Sequence, residues 1–414
     1  MVRPDREARL PGLLARPRLI LFLALLLTLG ALHVQERLGE PPSHAVEQSL
    51  FDLLAKVGGQ PFWHADDEIS AVDFSPDGRF LVAASRDGGM VLYQMDDTGL
   101  TGAGYKLAEG KSGGIIDVQF SPNGSRLAAL MGSGRIQLWD VSAGVRPLPD
   151  SDYATSCTTF RSLAFSADGK RVVCVGDGAT ISRIGFSELH GGEVALYATR
   201  RGSEFSYSTA LSRDQRWLAA AKVPVTQLWD LSDETAIKPA LVMTKTAYSA
   251  LGLAFSPDGR WLVGAGWEDR IQVARLDGAA GPREVPSLEF AGADISTLKF
   301  SPNGRWLIST GFDDSVLMWD AEKLGRTQAP AVLRAGRAPD FHADPPWQPT
   351  VNFSDDGKWF ATTSGMRNNA YAWSIDENGG VGAMVVLAGH EDGLNDLDLS
   401  PDGHWAASAG RDGT

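Results

Sequence analysis

One short phrase recurs through this chain at a nearly fixed period and fixes most of its architecture. It is an apolar residue, Ser, a variable residue that is often Pro, Asp or Asn, and usually Gly. The apolar residue of each copy is Phe74, Phe120, Phe165, Leu211, Phe255, Phe300, Phe353 and Leu399, at spacings of 46, 45, 46, 44, 45, 53 and 46 residues. A period in the forties that repeats eight times is the mark of a radial or stacked repeat architecture. Within the phrase, Pro presets φ for a tight turn, and Asp or Asn followed by Gly tolerates the left-handed position that closes it. An alternating apolar run precedes each turn, as in 69–74, and another follows it, as in 80–85, which predicts a β-hairpin. Third runs follow at 135–140, 225–230 and 315–320, and weaker fourth runs such as 384–387 complete four strands per unit.

The third runs end in Trp139-Asp140, Trp229-Asp230 and Trp319-Asp320, and Gly389-His390 stands ahead of the last copy. With the period, these residues resemble the WD-repeat β-propeller family, over roughly residues 62–414. The resemblance implies an all-β propeller of four-stranded blades, seven complete and an eighth with only two strands before Thr414. At other sites the Trp-Asp pair is degenerate: Tyr93-Gln94, Tyr197-Ala198, Ala274-Arg275 and Trp373-Ser374. The family also implies a buried hydrogen-bonded tetrad of His, Ser or Thr, Asp and Trp. The first repeat offers His64, Ser85 and Asp87 with Tyr93 in place of Trp. The eighth offers His390, Ser408 and Asp412, although Ser408 lies four residues before its Asp where Ser85 lies two before. Repeats without the His are expected to hold together by apolar packing.

Of the 12 tryptophans, Trp139, Trp229, Trp319 and Trp373 fall on third strands. Trp217, Trp261, Trp306, Trp359 and Trp405 fall at the start of second strands. Both sets read as packing between blades. Trp63, Trp267 and Trp347 lie outside these positions. With Phe312 they map to the loops entering the first strands or joining second to third strands, which the family places on one face. Loops carry function on a scaffold whose strands are committed to packing, so Trp63, Trp267, Phe312 and Trp347 are the candidate partner-binding residues. The one long insertion, 323–349, carries Arg326, Arg334 and Arg337 and five prolines, as a docking loop or a solvated one.

Chemistry-bearing motifs are few. Gly110-Lys111-Ser112 has Tyr105 where a phosphate loop needs Gly, and as a nucleophile elbow it opens no helix. The seven His show no ligand spacing, and Asp313-Asp314 reads as turn residues rather than a cation site. No catalytic residue, cofactor or metal is assigned. Only two cysteines occur, Cys157 and Cys174. Pairing the third hairpin about its turn sets Cys174 opposite Leu163, six residues from Cys157, which argues against a bridge.

The first sixty residues differ from the rest. Residues 1–18 form a basic tail with five arginines against Asp5 and Glu7, whereas the whole chain has a net charge of −13. So acidic a body is ill suited to nucleic-acid backbones. Residues 19–34 are an apolar, Leu-rich run, read as a signal-anchor helix. It is short for a bilayer crossing, and Arg18 and Arg37 would have to snorkel at its ends. Residues 35–61 form a linker with the stiff spacer Pro41-Pro42. Basic residues concentrate before the run, so the expected topology is single-pass, with a cytoplasmic N-terminus and the propeller outside or in a bacterial periplasm. The expected function is a membrane-tethered, non-enzymatic scaffold or sensor that binds protein. The alternative is the propeller portion of a larger signalling enzyme, an ATPase or kinase, and a channel hydrolase is a third, weaker reading.

Overall fold

The computed structural model describes residues 62–414, except 98, 110–112, 143–145, 155–159, 167, 177–179, 186–192, 197–207, 223–224, 233–237, 244–249, 267–269, 278–280, 291–294, 335–348 and 365–367. The basic tail, the apolar run and the linker fall outside the described residues. Among the described residues no helix is long and apolar enough to cross a membrane.

Among the described residues, seven antiparallel sheets of four strands and one of two strands follow one another in chain order. Each sheet is a blade built from neighbouring strands in sequence. The first hairpin, Ile69–Phe74 with Phe80–Ser85, sets the pattern. Its register pairs Phe74 with Leu81 around the turn. The third blade pairs Cys174 with Leu163, as the turn requires. The last sheet holds Leu394–Leu399 and Ala406–Gly410 alone. The one described helix is a single 3-10 turn, Ala321–Lys323, capped by the Asp320 carboxylate after the third strand of blade 6.

The first strands form the innermost layer. Each borders the first strand of the next blade, and the half-blade at the end borders blade 1, so the layer closes on itself. Apolar side chains at alternate positions pack between blades. Val118, Phe120 and Leu127 of blade 2 join Val82, Met90 and Leu92 of blade 1 in one core cluster. Trp359 and Ala361 of blade 7 join Leu394, Leu397 and Leu399 of blade 8 in another. Burial of this kind contributes about 25 cal/mol per Å² of apolar surface and is the main stabilising term.

The intervening positions of the first strands bind across the seams by polar contacts, which apolar packing alone does not predict. Asp73 accepts the N–H of Phe120 at 2.6 Å, Asp117 that of Leu163 at 3.2 Å, and Gln119 that of Phe165 at 3.1 Å. At the closure, Asp396 accepts from Val72 at 3.1 Å and Asp398 from Phe74 at 2.9 Å, while Asn395 donates to the Ile69 carbonyl at 2.8 Å.

Candidate functional site

The two ends of the propeller differ in kind. At one end lie the eight tight turns. In each, the Ser hydroxyl donates to the Asp or Asn side chain two residues on, from Ser75–Asp77 at 2.7 Å to Ser400–Asp402 at 2.6 Å. The same Ser oxygen accepts the N–H that opens the next strand, as from Trp217, Trp306 and Trp359 at 2.8–3.0 Å. Seven turns carry Gly at the closing position; the fourth carries Gln215, held at φ 57°.

At the other end, the loops entering first strands bond to the turns joining second and third strands. Arg86 donates its N–H to the Glu68 carbonyl, Gly132 to Gly114 and Arg411 to Gly393. These bonds bring both loop types onto one face. Phe312 sits there, half-buried, beside the buried Asp313 and Asp314. Trp63 is half-buried too, but it packs inward in the cluster shared by blade 1 and Ala407 and Ala409 of blade 8. A Cβ on Gly89 would lie 3.3 Å from its ring. Trp267 and Trp347 lie outside the described residues.

In the first repeat, His64 is exposed, while Tyr93 donates its hydroxyl to the Phe62 carbonyl at 3.0 Å and packs edge-on against the Phe62 ring. Asp87 accepts the Gly89 N–H at 2.6 Å, and Ser85 accepts the N–H of Asp87 at 3.3 Å, so both are spent on their own turn. In the eighth repeat, Nδ1 of His390 lies 3.0 Å from Asp412, and Nε2 lies 2.8 Å from the Ser408 hydroxyl. With Nδ1 donating to Asp412, Nε2 is left to accept from Ser408. Burial alone would raise the Asp412 carboxyl. The Glu391 N–H, the His390 ring and Thr414 hold it instead at about 2.

Blade 6 shows why the two serines differ. Trp319 donates its indole N–H to the Ser309 hydroxyl at 3.0 Å. Ser309 lies nine residues after Phe300, as Ser408 lies nine after Leu399, and the matching residue of repeat 1 is Ala83. The tetrad register therefore passes through Ser408 and Ser309, while Ser85 is two residues out of it.

A second network on the loop face has no counterpart in the sequence reading. Asp314 adopts φ 64° and accepts the Ser364 hydroxyl at 2.9 and 2.8 Å. Arg334 pairs with the same carboxylate at 3.3 Å and donates to the Asp314 carbonyl at 2.6 Å. Its guanidinium also lies 4.3 Å from the Tyr371 ring centre. This clamp joins blades 6 and 7, with Arg334 supplied from within the long insertion. Arg334 was readable as one of three insertion arginines, but not as a buried anchor.

The inner ring carries the strongest electrostatics. Asp73, Asp117, Asp396 and Asp398 come from blades 1, 2 and 8 and crowd one arc. Burial, then the charge of Asp396, pushes Asp117 up to about 7. Burial raises Asp398 to about 7 and Asp396 to about 6, and Asp73 is raised well above the usual carboxylate range by burial and then by Asp398. Among the described residues no group of three or more His, Cys, Asp or Glu is arranged to hold a metal ion.

Comparison with known proteins agrees with this geometry. The WD domain, G-beta repeat family matches residues 60–94, 104–140, 285–320 and 383–414, which are repeats 1, 2, 6 and 8. A stretch of 83 residues is 28% identical to human echinoderm microtubule-associated protein-like 3; it is 20% of this chain and spans only 9% of that protein. Among solved structures, Chaetomium thermophilum Sqt1 bound to the N-terminus of the ribosomal protein L10 superposes with a TM-score of 0.64 at 17% identity. The match covers 84% of this chain and 95% of that one.

Proposed function

From the premise that this chain is a WD40-repeat β-propeller, we propose that it is a non-enzymatic scaffold or sensor that binds a protein through its loop face. The observation that carries the reading is the asymmetry of the two ends. The turn end spends its side chains on eight near-identical turns. The loop end builds individual structures, the Asp314–Arg334–Ser364 clamp and the half-buried Phe312 beside it. A rigid base under an aromatic side chain is what a docking surface needs, because ordering costs are then met before binding. Sqt1, whose structure holds the N-terminus of another protein, supports a polypeptide as the class of partner.

The same proposal places the propeller outside the membrane or in a bacterial periplasm, tethered by residues 19–34 with residues 1–18 in the cytoplasm. Its support is the excess of arginine before the apolar run. Alkaline phosphatase fused after Gly59 is then active in bacteria, and fluorescence from a cytoplasm-only reporter at that site contradicts the orientation. For the docking face, a partner recovered by crosslinking to the full chain loses about tenfold or more in affinity with Phe312→Ala, the scale of a central anchor residue. Undiminished binding by that variant removes the loop-face reading.

A further inference from the structure

The seam between blades 4 and 5 differs from the polar seams of the closure. The third and fourth strands of blade 4 are Val225–Asp230 and Lys238–Met243, and those of blade 5 are Arg270–Arg275 and Arg283–Glu289. A cavity of about 330 Å³ lies at this seam, lined by Met243, Gln272, Val285, Pro286 and Ser287. That is near the lower end of the volumes that hold small ligands or a few residues of peptide.

Gln272 is only 5% exposed, and neither its amide oxygen nor its amide nitrogen has a hydrogen-bond partner. Thr226, 1% exposed, pairs in register with Met243, and its hydroxyl is likewise unpartnered. Leu228 and Met243 of blade 4 pack with Leu262 and Ala274 of blade 5, which places this face of blade 4, Thr226 included, toward Gln272. Gln272 thus lines the cavity with both amide functions unsatisfied, and the bare Thr226 hydroxyl lies on the strand beside the lining residue Met243. Buried polar groups are ordinarily paired, and leaving them bare costs free energy. The ladder is interrupted beside Gln272, between Ile271 and Val273, and Pro286 across from it has no N–H to offer.

We propose that this cavity binds a short, uncharged, extended peptide segment, with one backbone amide of the peptide paired reciprocally with the Gln272 side chain. An amide is the ligand group that offers a donor and an acceptor together, matching the two free functions of Gln272. Met243, Val285 and Pro286 supply an apolar wall for a neighbouring side chain. Glu284 at the rim disfavours an anionic ligand. The proposal rests on the propeller being a protein-binding module, but it places a second contact on the outer strands of blades 4 and 5, distinct from Phe312 on blade 6.

The test uses a displayed library of random dodecapeptides selected on the full chain, followed by affinities of the selected peptides for wild type, Gln272→Met and Thr226→Val. The expected result is peptides that lose about tenfold or more with Gln272→Met, while the melting temperature of that variant without peptide holds or rises because a bare amide has been removed. Thr226→Val, close in shape, repeats the test with little risk to folding. Failure to select any peptide, or selected peptides that bind both variants as well as wild type, reduces the cavity to a water site and overturns the proposal. A lower melting temperature for Gln272→Met also overturns it, since the amide then has a partner within the chain. A protein that depends on Phe312 and ignores Gln272 leaves the loop-face reading standing and removes this one alone.

Discussion

The turn end and the loop end of this propeller are built from the same eight repeats and by opposite rules. At the turn end each turn is closed by its own side chains: Ser121 reaches Asn123 at 2.8 Å and Ser354 reaches Asp356 at 2.7 Å. At the loop end side-chain bonds also reach from one repeat to another, as from Ser364 to Asp314 across 50 residues. Repetition at one end frees the other to vary. The turns hold the frame, and the loops carry whatever is particular to this chain.

The largest expected effect lies at the loop end. Arg334→Ala removes the guanidinium that pairs with the buried Asp314 carboxylate; in that pair the side chains are 13% and 4% exposed. The loss is about 3–5 kcal/mol in denaturant unfolding, the usual cost of breaking a buried pair from one side. A loss below about 1 kcal/mol shows that the clamp is not an anchor and blurs the distinction between the ends.

The inner ring of first strands runs between the two ends and responds to pH. Asp117 and Asp398 stand near 7 and Asp396 near 6, all above their unfolded value. The folded state therefore binds these protons more tightly than the unfolded chain. Their contribution is most favourable below about pH 4 and is lost as pH rises toward 7. Asp412, held at about 2, has the opposite sign and weakens the fold only as pH falls below about 4. Melting temperature is thus expected to decline from pH 5 to pH 8. Asp398→Asn, which keeps an acceptor for the Phe74 N–H, is expected to flatten that decline and to gain about 1–2 kcal/mol at pH 8. A melting temperature that rises over this range refutes the assignment.

Smaller effects belong to the turns. Ser301→Ala removes the acceptor for the Trp306 N–H and the donor to Asn303, at about 1 kcal/mol. Ser354→Ala is expected to match it, because the turns are equivalent; clearly unequal costs in chemical denaturation break that equivalence. Gln215→Gly is expected to stabilise by about 0.5 kcal/mol. Relief of a left-handed non-glycine residue outweighs the added freedom of the unfolded chain, and removal of its unpartnered buried amide adds to the gain. Calorimetry of the pair of proteins decides the sign.

What was legible in the sequence follows the same division. The eight turns, their hairpins and the Cys174–Leu163 register could be read because each is fixed within about twenty residues. The sequence points to Ser85 as the tetrad serine of repeat 1, two residues out of register, because Ser85 and Ala83 differ by one strand period and both Ser85 and Ser309 precede an Asp. Alignment on the preceding Phe74, Phe300 and Leu399 gives the register. The carboxyls of the inner ring have no distinct sequence signal, although Asp73 and Asp398 each stand directly before the apolar residue of the turn phrase. Their significance arises only when the ring closes and brings residues more than 300 positions apart together. The Asp314–Arg334 clamp and the bare Gln272 amide are tertiary facts with no local signature.

Site-specific photocrosslinking compares the two ends most directly. A benzoylphenylalanine introduced at Phe312 on the loop face, and separately at Arg79 on the turn face, is activated in cells expressing the full chain. The account predicts a discrete protein adduct from position 312 and none from position 79. An adduct from position 79 with none from 312 would contradict it, and would move the binding surface to the end assigned here to the frame.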